Sequence, residues 1–116
     1  MWLFTKHGFY SAVAARRGRK IDPTRVCVRA RLHEHLVSLL DAHGDLLGRP
    51  RVTSSPDTDY RFRIVVRAGD WADVCRLLAY DIDYDNFKAA CPDPAYHAWL
   101  NRVWAVGADV QDKAGR

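Results

Sequence analysis

Hydrophobic and polar positions alternate in two long stretches of the chain and recur every three to four residues in three others, so the sequence predicts a sheet backed by helices. From Asp59 to Arg67, Tyr60, Phe62, Ile64 and Val66 fall on one face and Arg61, Arg63, Val65 and Arg67 on the other. That is a strand with one face in a core and one face wet. Arg25 to Arg31 repeats the pattern, with Val26, Val28 and Ala30 inward and Arg25, Cys27, Arg29 and Arg31 outward. Trp2 to Thr5 and Phe9 to Ala15 are also extended in character, joined across Lys6-His7-Gly8 as a tight hairpin or as one kinked strand. Arg51-Val52-Thr53 has the composition of a short strand, followed by turn chemistry at Ser54-Ser55-Pro56-Asp57.

The period changes after Arg31. Leu32, Leu36, Leu39, Leu40 and His43 mark an amphipathic helix ended by Gly44. A second helix carries Trp71, Val74, Cys75, Leu78 and Ile82, with Asp70 as its cap, and Asp81 to Lys88 reads as its acidic continuation. Cys91-Pro92-Asp93-Pro94 stops that run and opens a third helix, with Asp93 as cap, Pro94 at the first position, and Tyr96, Leu100, Val103, Trp104, Gly107 and Val110 on one side. The unit from Arg25 to Ile82 is β-α-β-β-α. With the N-terminal strand it supplies the elements of a ferredoxin-like α/β sandwich whose usual last strand has moved to the front. The predicted fold is α+β: an antiparallel sheet, helices mainly on one face, and an extra C-terminal helix.

Length bounds this to one domain spanning residues 1–116, large enough for its own core. No apolar run reaches a membrane span. Lys6-His7 interrupts the apolar N-terminus, so Met1 to Ala15 reads as structure and not as a signal peptide. Three scattered cysteines, Cys27, Cys75 and Cys91, form no CxxC pair and suit a reducing cytoplasm. The net charge of +4 is unevenly spread: up to Arg67 there are 13 Lys/Arg against 6 Asp/Glu, and beyond it 5 against 8. One part of the surface therefore attracts anions, unless the acidic stretch Asp81 to Asp85 or a partner subunit covers its arginines.

Met1-Trp2-Leu3-Phe4-Thr5 with Gly8-Phe9-Tyr10-Ser11, then Asp59-Tyr60-Arg61-Phe62-Arg63, then Tyr84-Asp85-Asn86-Phe87-Lys88 resemble a family of small uncharacterised bacterial proteins over most of the chain. The resemblance implies a bacterial cytoplasmic protein and carries no catalytic residues with it.

Motifs for chemistry are sparse. His33-Glu34-His35 spaces two histidines as a metal-binding strand would, but the segment reads as helix, where positions two apart diverge by about 200° around the axis. Asp81, Asp83 and Asp85 lack the glycine and closing glutamate of a calcium loop. Cys27 and Cys75 lie in packing patterns, and Cys91, ahead of Pro92, is the more exposed candidate. No phosphate loop, nucleophile elbow or zinc-protease motif occurs, so no cofactor, metal ligand or catalytic residue is assigned.

The outward arginines remain. Guanidinium forks suit carboxylate and phosphate, and rings among arginines on an open sheet hold single-stranded nucleic acid. If the N-terminal strand joins the sheet, either Trp2, Phe4 and Lys6 or Leu3, Thr5 and His7 share that face. The candidate anion-binding set is Arg29, Arg31, Arg61, Arg63, Arg67, Trp2 and Lys6. The favoured function is a non-enzymatic protein-interaction or homodimerising module. A single-stranded RNA- or DNA-binding protein comes second, and a metal-dependent enzyme acting on phosphodiesters, resting on His33 and His35, third. No membrane partner is expected.

Overall fold

β1 (Trp2–Thr5) and β2 (Gly8–Arg17) form a hairpin, and β3 (Lys20–Ala30) continues it. α1 (His33–His43) follows, then β4 (Thr53–Ser54), β5 (Phe62–Arg67), α2 (Ala68–Tyr80) and, after a 3-10 turn at Lys88–Ala90, α3 (Pro94–Lys113). The sheet is antiparallel throughout, with strand order β1-β2-β3-β5-β4. These elements come from a computed structural model that describes residues 1–115. They divide into two compact units, Met1–Asp83 and a second starting at Tyr84.

In the first unit the alternation does its work. Tyr10, Ala12, Val28, Ala30, Ile64 and Val66 point from the strands into a core closed by Leu36 and Leu39 of α1 and Trp71, Val74 and Leu78 of α2. The order β3-α1-β4-β5-α2 is the expected β-α-β-β-α unit, and β2, from the front of the chain, fills the place beside β3. The fold is therefore a ferredoxin-like α/β sandwich with an additional C-terminal helix.

Of the two options for the N-terminus, the hairpin is observed, with Thr5 opposite Gly8 across a Lys6-His7 turn. Gly8 has a φ of 149°, and a Cβ there would collide with the His35 ring. His35 explains the closeness: its Nδ1 accepts the Phe9 N–H at 3.2 Å and its carbonyl accepts the Tyr10 hydroxyl at 2.6 Å. The histidine thus locks the first hairpin to α1.

Several local expectations change. The basic stretch Arg16 to Lys20, whose composition predicts a loop closed by Asp22-Pro23, is strand on either side of a two-residue turn at Gly18-Arg19, with Arg17 opposite Lys20. β4 pairs Thr53 and Ser54 with β5, slightly later than the Arg51 to Thr53 segment. Asp70 does not cap α2, which starts earlier at Ala68; the aspartate lies in its first turn, where acidic charge still favours the helix N-terminus. α2 ends at Tyr80, so Ile82 is exposed and the acidic segment is not helical. Tyr60 precedes β5, and its buried ring packs on the opposite side of the sheet from Ile64.

The second unit is built on α3. The Asp93 carboxylate accepts the Tyr96 N–H at 2.9 Å and Pro94 opens the first turn, as the sequence predicts. Tyr96 and Leu100 are buried, and so is Cys91, contrary to its expected exposure. The later apolar positions Val103, Trp104, Val106 and Val110 are exposed. No helix among the described residues is long and apolar enough to cross a membrane.

Candidate functional site

Strand register sets the face opposite the core. Trp2 pairs with Ser11, Ser11 with Arg29, Arg29 with Arg63, and Arg63 with Thr53, so one row crosses all five strands. A second row is Val13, Cys27 and Val65, and a third pairs Arg25 with Arg67. Trp2, Phe4 and Phe9 gather at one end: Phe4 stacks on Phe9 with centroids 4.3 Å apart, and Trp2 meets Phe9 edge-on at 6.0 Å.

Tyr60 organises the arginines at the centre. The Arg29 guanidinium lies 4.6 Å and that of Arg31 4.5 Å from its ring centroid. Such contacts are stabilising because the ring face carries partial negative charge. Arg29 also donates to the Ser11 hydroxyl at 2.7 Å, and Arg31 to the Asp59 carbonyl at 2.9 Å. Arg63 donates to the Thr58 hydroxyl and the Tyr60 carbonyl, both at 3.1 Å. Arg61 departs from the predicted set: it reaches the Ser54 hydroxyl at 3.4 Å and lies over Phe62, both at core-side register positions, because Tyr60 breaks the alternation just before β5. Arg25 and Arg67 make no side-chain hydrogen bond or ion pair among the described residues.

The acceptors are all neutral. Among the described residues no carboxylate forms an ion pair with Arg29, Arg31, Arg61, Arg63 or Arg67. Asp81 and Asp83, the aspartates expected to cover them, turn elsewhere: Asp83 to Lys6 at 3.1 Å, Asp81 to His7 and His43. Lys6 therefore leaves the predicted anion-binding set, since it sits in the β1–β2 turn and not on the arginine face. Trp2 is on that face and is 71% exposed. Cys27 lies in the row next to the Arg29/Arg63 pair, yet burial pushes its thiol up by more than the two guanidiniums bring it down, which does not suit a nucleophile. Burial pushes the Cys75 thiol up as well.

His33 and His35 diverge as a helix start requires. His33 is exposed beside the Phe62 ring, whereas His35 is buried in the hairpin contact. A different group converges instead. His7 from the first turn, His43 from the last turn of α1 and Asp81 after α2 place one ligand atom each within 4.8 Å of one another. The His7 ring is held below the usual imidazole range by burial and by the facing His43, with Asp81 acting in the opposite direction. Nothing local in the sequence announces this cluster, because each residue comes from a separate element. No protein-family model matches the chain, and none of the curated proteins or solved structures is significantly similar to it.

Proposed function

We propose that this protein is a non-enzymatic interaction module whose arginine-bearing sheet face docks an acidic segment of a partner protein. The observation that carries the reading is the exposed Val13 and Val65, set in a row between the Arg29/Arg63 and Arg25/Arg67 pairs, with none of those arginines in an ion pair among the described residues and Asp22 acting on Arg25 only at longer range. An apolar strip rimmed by arginine is the anatomy of a protein interface. Nucleic acid is the weaker alternative. The Tyr60 ring is covered by two guanidiniums and Phe9 is buried, leaving Trp2 as the well-exposed ring of the face, where a strand of bases needs several. The setting proposed is the bacterial cytoplasm, in keeping with three cysteines that remain thiols.

The test is fluorescence anisotropy with an acidic peptide and with a single-stranded oligonucleotide, each across a salt series. Arg25→Gln with Arg67→Gln should weaken peptide binding about tenfold and flatten its salt dependence. Tighter binding of the oligonucleotide, with a salt slope that falls by about one for each arginine removed, would replace the protein partner with nucleic acid.

A second surface supports a homodimer. Val103, Val106 and Val110 recur at helical spacing on α3 with Trp104 beside them, all exposed, as on a helix that pairs with a copy of itself. The arginine face suits self-association poorly, because a two-fold axis through it would set cations against cations. Sedimentation of Val106→Glu should therefore give monomer if α3 pairs, while the arginine substitutions leave the mass unchanged.

A further inference from the structure

The distances within the histidine cluster have a chemical meaning. His7 Nε2 lies 3.8 Å and His43 Nε2 3.7 Å from the same oxygen, Asp81 Oδ2. Both are too long for hydrogen bonds. They are near the spacing that an ion between the three atoms would impose: ligands at 2.0–2.1 Å from a tetrahedral Zn2+ stand about 3.3–3.4 Å apart. His43 Nε2 is buried with no hydrogen-bond partner, a state that costs free energy unless something accepts its lone pair.

The surroundings fit a cation. The other ring nitrogen of His7, Nδ1, is 3.1 Å from the Ser38 hydroxyl on α1, the kind of outer contact that fixes a tautomer and leaves Nε2 for a metal. α1 ends at His43, and α2 ends just before Asp81, so two helices bring their partially negative C-terminal ends to the same point. The neighbouring Lys6 charge is tied to Asp83.

We propose that His7, His43 and Asp81 form a binding site for a divalent first-row transition ion, with Zn2+ the expected occupant and Ser38 the residue that orients His7. Two imidazoles and a carboxylate are a donor set that zinc accepts and that magnesium and calcium, which prefer oxygen, do not. Three protein ligands leave a fourth position. Asp81 is the most open of the three, its side chain 41% exposed against 12% for His43, so water reaches that position from the aspartate side. Bound metal would clip the first turn to the ends of both helices. This site is separate from the arginine face and does not rest on the role proposed for it.

The experiment uses the full chain without a histidine tag, stripped with chelator and titrated with zinc chloride by calorimetry, and with cobalt(II) chloride by visible absorbance. One zinc per chain with a dissociation constant below about 10 µM, intense tetrahedral cobalt bands, and a melting temperature that climbs with zinc concentration are expected. His43→Gln and Asp81→Asn should each weaken binding more than about tenfold, and Ser38→Ala by about tenfold. Melting of the metal-free variants shows whether each still folds; if His43→Gln does not, Asp81→Asn at the more exposed position decides. Absence of zinc binding at about 10 µM overturns the site, as does stoichiometric binding that survives both ligand substitutions.

Discussion

The two faces of the sheet are made by the same strands, residue by residue in alternation, and are satisfied in opposite ways. On one, Val28, Ile64 and Val66 share a buried cluster with Leu36, Leu39 and Val74. On the other, Arg29 and Arg63 are paired in register and held by hydroxyls, carbonyls and the Tyr60 ring. Burial of apolar area does not depend on which neighbour supplies it, so the core closes on itself. An arginine held by neutral acceptors keeps its full charge. The second face is therefore held in place by neutral acceptors while keeping its charge, and the docking role proposed for it rests on that contrast.

Substitutions at adjacent positions of β5 should expose the contrast most strongly. Ile64→Ala removes a buried side chain and should cost about 2–5 kcal/mol, whereas Val65→Ala, one residue along on the exposed side, should stay within about 1 kcal/mol of the parent. Urea midpoints at constant slope read both values. Equal losses would mean that the second face is as tightly packed as the first.

Tyr60 comes next in size. Tyr60→Leu keeps apolar bulk but removes the surface on which Arg29 and Arg31 rest, and should destabilise by about 1–3 kcal/mol. Tyr60→Phe retains the ring and should change stability by less than about 0.5 kcal/mol. Should the leucine variant melt with the parent, the two arginines are not organised by stacking.

The smallest effect separates the arginines from one another. Arg63→Gln loses two hydrogen bonds and should cost about 1 kcal/mol, while Arg67→Gln, which loses none among the described residues, should be neutral within about 0.5 kcal/mol. Thermal unfolding of the two single variants in one buffer distinguishes structural arginines from those available to a partner.

Periodicity was sufficient for the strands and helices that bury a face. Val26, Val28 and Ala30 could face only inward, the switch at Leu32 could only be a helix, and Asp93-Pro94 started α3 as their chemistry demands. These are consequences of side chains two or three to four apart on one element, which any sequence displays. The ends of elements were harder to read, because they answer to distant partners. Arg16 to Lys20 looked like a loop by composition, yet β2 and β3 hold each other extended to the turn. Tyr60 fitted the alternation of β5 but lies before the strand starts, where two arginines and Phe9 compete for its ring.

The candidate sites divide in the same way. The outward pairs Arg29/Arg63 and Arg25/Arg67 were legible from alternation alone. Whether Asp81 and Asp83 neutralise them was not, since an aspartate at a helix end pairs with whichever cation the fold brings near. Here the fold turns Asp83 to the Lys6 ammonium and Asp81 toward the His7 and His43 rings. The sequence by itself determined the α+β class, the two-sided sheet and its arginines, because those follow from short-range periodicity. Only the tertiary structure decided that Asp83 pairs with Lys6 and that two histidines and an aspartate from three separate elements meet, because such convergence depends on how elements pack and not on any spacing along the chain.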